Sequence, residues 1–122
     1  MATFRGTRSL LLALAGVGTL SFAAPTRAAD TVSGEIVDLA CYMVHPESGH
    51  GSGHRKCADT CLKKGLPMGL LTADKQVYLL LEDHENPKPY AQLKEKAAEQ
   101  VTVEGTKTAS GGVNALVVEG VK

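Results

Sequence analysis

Thiol, imidazole and thioether groups are the side chains that soft metals and redox chemistry use, and in this chain they crowd into one short segment. In order they are Cys41, Met43, His45, His50, His54, Cys57, Cys61 and Met68, which takes in all three cysteines, three of the four histidines and two of the three methionines. Residues Arg55 to Lys64 suit a short helix, on which Cys57 and Cys61 stand at i and i+4 on one face, with His54 three residues before Cys57. Two thiols on adjacent helical turns can converge on one metal ion with little chain reorganisation. Their nearly parallel Cα–Cβ vectors do not supply the near-perpendicular torsion that a disulfide wants. The arrangement therefore suits chelation better than bridging.

Each candidate also has a purely structural role to weigh. Cys41, on the inward face of a predicted strand, could serve as a small buried hydrophobe or as half of a disulfide to Cys57 or Cys61. Three cysteines leave an odd one, which needs a metal, a partner or a tolerated free thiol. His45 before Pro46, His50 between Gly49 and Gly51, and His84 in an acidic turn read most simply as solvated residues. His54 is better placed, because its offset from Cys57 matches a helix face. Met68, after Pro67, has core packing as its first role and an axial thioether as its second. The candidate metal set is thus Cys57, Cys61, His54, Cys41 and Met68, with copper the first metal and zinc the next.

The elements that must position these groups begin after a leader. Arg5 and Arg8 form a basic start, Leu10 to Ala24 is apolar and rich in small residues, and Thr26-Arg27-Ala28-Ala29 offers a cleavage site before Asp30. The apolar run is shorter than a membrane span, and no cysteine stands at the cleavage point to take a lipid. Residues 1–29 are therefore expected to be a secretory signal peptide and residues 30–122 one domain, periplasmic or secreted, with no stable membrane anchor after cleavage. Without the three leader arginines, ten basic residues face thirteen acidic ones, a net charge of about −3. That domain has neither the basic groove nor the stacking aromatics of a nucleic-acid binder, its aromatics being Tyr42, Tyr78 and Tyr90.

Five strands and one clear helix are expected. Thr31 to Met43 alternates with Val37, Leu39, Cys41 and Met43 on one parity and Asp38 on the other, which predicts one long strand with Cys41 and Met43 facing inward. Met68 to Thr72 and Gln76 to Leu81 form a predicted hairpin around Ala73-Asp74-Lys75. Tyr90, Leu93 and Ala97 predict a helix over Pro89 to Gln100. Strands starting at Val101 and Val113 follow, separated by Ser110-Gly111-Gly112. His50-Gly51-Ser52-Gly53-His54 reads as a short flexible loop.

The pattern Gly34-Glu35-Ile36-Val37-Asp38, Gly69-Leu70-Leu71 with Val77-Tyr78-Leu79-Leu80, and Val101-Thr102-Val103-Glu104-Gly105 resembles small secreted bacterial OB-fold proteins, many without assigned activity. The resemblance implies a mainly β, five-stranded OB-like Greek-key barrel with a helix between strands three and four, and the short Cys-bearing helix expected over Arg55 to Lys64 falls in its first long loop. Locally, Cys57-x3-Cys61 followed by Met68 is similar to the binuclear copper motif, Cys-x3-Cys-x3-His-x2-Met, of cytochrome oxidase subunit II and nitrous oxide reductase. That resemblance implies bridging thiolates at Cys57 and Cys61 and a thioether at Met68, with Gly65 standing where the motif has its histidine.

Three functions from different classes remain. The chain is expected to be a periplasmic soft-metal binding protein without catalytic activity, partnered by its metal ion and by another periplasmic protein. The alternatives are a structural or adaptor module whose Cys41 disulfide staples the long loop, and a thiol redox protein. Cys-x-x-Cys-His is absent, which disfavours haem attachment, and neither Gly-x-Ser-x-Gly nor His-Glu-x-x-His occurs.

Overall fold

The computed structural model describes Gly18 and residues 20–122. Residues 1–17 and 19, which hold the basic start and much of the apolar run of the expected leader, lie outside the described residues, and residues 20–29 carry no regular secondary structure. The fold is mainly β. Strands β1 (Asp30–Asp38), β2 (Met68–Leu71), β3 (Val77–Glu82), β4 (Gln100–Ser110) and β5 (Val113–Val121) are joined by short helices α1 (Leu39–Val44), α2 (Arg55–Lys63) and α3 (Lys88–Leu93), with a 3₁₀ turn at Ser52–His54. The strands close into a barrel in the order β1-β2-β3-β5-β4, with β3 and β5 parallel and every other pair antiparallel. This closed five-stranded barrel fits an OB-like fold.

Closure depends on β1 serving two neighbours. Asp30 to Glu35 pair with β4, and Glu35 to Asp38 pair with β2. The change of partner falls beside Gly34, where a Cβ would press on the Leu71 carbonyl, so the strand bends where it has no side chain. Ile36, Leu70, Leu80, Val103, Leu116 and Val118 fill the interior, and Ala58 and Leu62 of α2 belong to the same cluster. Burying such residues stabilises by about 1.5–3 kcal/mol for each large side chain.

Two expected elements differ. The long first strand stops at Asp38, and Leu39 to Val44 is helical, so Cys41 and Met43 do not face inward together; Met43 is 68% exposed. The Asp38 side chain accepts the Cys41 N–H, which is an N-cap, and Pro46 follows shortly after the helix ends. Capping chemistry outweighed the alternation. The helix after Pro89 ends at Leu93 rather than continuing to Gln100, because Ala98 N–H donates to Ile36 O (2.8 Å) and Ile36 N–H donates to Glu99 O (3.0 Å). Those bonds extend the β1–β4 ladder, and Ala98 takes φ 59° to reach it. The hairpin of β2 and β3 forms as expected from the sequence.

The β4 register shifts between Glu104 and Gly105, and a Cβ at Gly105 would overlap the Val117 carbonyl oxygen. Gly105→Ala should therefore destabilise the domain by about 1–3 kcal/mol, read as a lower urea midpoint at unchanged slope; an unchanged midpoint would show that the bulge absorbs the methyl group.

Candidate metal centre

The site is built where β1 ends. Asp38, 0% exposed, closes the strand and starts α1, its Oδ1 accepting the Cys41 N–H at 2.8 Å. That bond places Cys41 in the first turn of α1. On α2, Ala58 and Leu62 are the buried anchors at i and i+4. Cys57 and Cys61 each stand one residue earlier, about 100° round the helix, where α2 borders β1 instead of the core.

Helix α2 ends on a Schellman turn. Gly65 takes φ +87°, its N–H donates to Leu62 O (3.0 Å), and the Leu66 N–H donates to Cys61 O (3.1 Å). Only glycine adopts that conformation without strain. Position 65, the histidine of the copper motif, is here a helix stop. Met68 is 0% exposed and belongs to the main core cluster, opposite Asp38 across the β1–β2 pair.

Two groups of side chains have ligand atoms all within 4.8 Å of one another: Cys41, His54 and Cys57, and Asp38, Cys41 and Cys61. Cys41 is common to both, whereas Cys57 and Cys61 fall in different groups. The helical pair from which a chelate is expected also stays in mutual contact, since the Cys57 thiol is among the neighbours that raise Cys61. All three cysteines are free thiols, Cys57 exposed and the other two half-buried. Burial, then the neighbouring Asp38 carboxyl and contact with Cys57, push the Cys41 thiol up to about 12. The Cys61 thiol is raised by the same burial, by Asp38 and by Cys57.

His54 reaches the site from the 3₁₀ turn, its Nε2 lying 3.1 Å from Asp38 Oδ2. A second carboxyl–histidine contact lies three residues back along β1. Glu35, 8% exposed, accepts the Gly51 N–H and lies 3.8 Å from His50 Nδ1, and the His50 ring meets Tyr42 edge-on at 6.0 Å. His45 and His84 are exposed.

One glycine just before the His50–His54 loop has a packing role. Gly49 and Ser48 N–H groups both donate to His45 O, at 2.7 and 3.1 Å, and a Cβ on buried Gly49 would strike the backbone of Cys41 and Tyr42. Gly49 thus permits close packing against α1. The carboxyls Asp38 and Glu35 are the members of this region that sequence reasoning missed. Asp38 sits on the opposite parity to the apolar residues, which reads as solvent-facing. The signal available was its place as an N-cap three residues before Cys41.

An apolar groove of Leu39, Met43, Val77, Leu79 and Val113 holds no cysteine or histidine. No helix among the described residues is long and apolar enough to cross a membrane. No protein-family model, curated protein or solved structure matches this chain.

The three thiols should differ in reactivity. With iodoacetamide near pH 8, exposed Cys57 should alkylate first, and Cys41, whose raised pKa keeps it a protonated thiol, should lag until the medium is far more alkaline. Peptide mass mapping with time reads the order; equal rates at all three cysteines would show that burial and Asp38 do not govern Cys41.

Proposed function

We propose that this protein binds a soft metal ion, without catalysis, through Cys41, Cys57, Cys61 and His54. The observation that carries the reading is the position of Cys41, whose sulfur lies within 4.8 Å of ligand atoms from α2, from the 3₁₀ turn and from the end of β1. Donors from separate elements meeting on one thiol make a chelate that needs little rearrangement.

Three thiolates satisfy copper(I), which accepts a low-coordinate sulfur shell, and the same three with an imidazole satisfy tetrahedral zinc. Copper remains the first metal and zinc the second. Both require the thiols to lose their protons on binding. The same reading takes the barrel as a Greek-key OB barrel with α3 between strands three and four, exported behind a cleaved leader. It takes a second exported protein as the partner that exchanges metal.

Cys41→Ser should weaken binding of both metals the most, because its sulfur belongs to both ligand groups, and Cys57→Ser and Cys61→Ser should each weaken it strongly. Lys63→Ala should leave binding unchanged, since the lysine pairs with Asp59 (3.0 Å) and Glu95 (3.6 Å) at the surface. His54→Ala should weaken zinc and spare copper(I). Chelator competition with each metal on the purified protein makes the measurement, and unchanged affinity in all three serine variants would overturn the proposal.

A further inference from the structure

We infer that Asp38 is a positioning residue that fixes the ring tautomer of His54, so that Nδ1 is the nitrogen presented to the metal. The inference rests on the soft-metal reading and adds to it which histidine atom binds and what selects it.

The argument starts from burial. Asp38 has no exposure to solvent, and its two carboxyl oxygens are divided between two partners, Oδ1 with the Cys41 N–H at 2.8 Å and Oδ2 with His54 Nε2 at 3.1 Å. A carboxylate only accepts hydrogen bonds. A neutral imidazole facing it must therefore carry its proton on Nε2, which leaves the lone pair on Nδ1. The ring so held is the one whose nitrogen comes within 4.8 Å of Cys41 and Cys57. One buried side chain thus sets two candidate ligands at once, a thiol through the backbone of α1 and an imidazole through its ring. Carboxyl groups that hold a ligating histidine from behind fix its orientation and raise its basicity, and losing one typically costs 10–100-fold in metal affinity.

Asp38→Asn separates this role from a purely structural one. Asparagine is as good an N-cap as aspartate, so its amide oxygen can keep the Cys41 N–H and α1 should persist. The amide nitrogen then faces Nε2 with donors only, which draws the lone pair to Nε2 and the proton to Nδ1. The metal then loses its imidazole nitrogen although His54 and all three cysteines are unchanged.

The test has two arms. Nitrogen-15 NMR of the histidine rings in the metal-free protein, at a pH where the imidazole is neutral, should show His54 protonated at Nε2 in the parent and at Nδ1 in Asp38→Asn. Zinc affinity by chelator competition should fall about 10–100-fold in Asp38→Asn and similarly in His54→Ala, and the double variant should be no weaker than His54→Ala alone. An Nδ1–H tautomer in the parent overturns the inference. So does an Asp38→Asn protein that binds zinc as tightly as the parent, or a double variant weaker than His54→Ala by the full Asp38→Asn factor. A parent that holds neither zinc nor copper(I) overturns the metal reading instead, and the tautomer arm, which needs no metal and no variant to fold, still decides whether Asp38 sets the ring.

Discussion

A carboxyl group buried beyond the reach of water must have its hydrogen bonds supplied by the protein, and Asp38 imposes that constraint on its surroundings. Leaving such a group unpaired costs several kcal/mol, so the chain around it must end a strand, start a helix and bring a histidine across. Each follows: β1 stops at Asp38, α1 begins against its Oδ1, and the 3₁₀ turn delivers His54 to its Oδ2. Among the described residues no buried side-chain nitrogen or oxygen lacks a partner. The metal-ligating types gather here because the same carboxyl that needs partners lies between the two helices that carry the cysteines.

Much of the barrel was legible in the sequence. Apolar alternation and turn residues place β2, β3, β4 and β5 to within a few residues, since half-buried strands repeat every second position whatever their neighbours. The end of β1 was not, because Val37, Leu39, Cys41 and Met43 satisfy the strand period equally well while Asp38 acts through its side chain on a backbone N–H three residues on. The last two turns of the Pro89 helix failed for another reason. Its competitor was a pairing with Ile36, more than sixty residues away, and no local window contains that information.

The candidate site was half legible. Residue types alone marked the segment, and the helical offset of Cys57 and Cys61 is real. Spacing could not show that Cys41 would be the shared sulfur, because that depends on α1 existing and on which way it points. Nor could it show that Gly65 is occupied by helix termination and Met68 by the core, so that the two positions a copper-motif comparison would fill with ligands are engaged in folding.

The strand pairings differ widely in how far along the chain they reach. Asp30 pairs with Gly105, whereas Asp38 pairs with Met68 and every donor from Asp38 to Cys61 lies inside that shorter span. Closing a loop costs entropy that grows with its length, and long-range pairings dominate the folding time of β proteins. The segment bearing the donors is therefore a sequence-local unit, synthesised in full before β4 has been made. The β1–β4 joint that seals it is the most non-local strand pairing among the described residues.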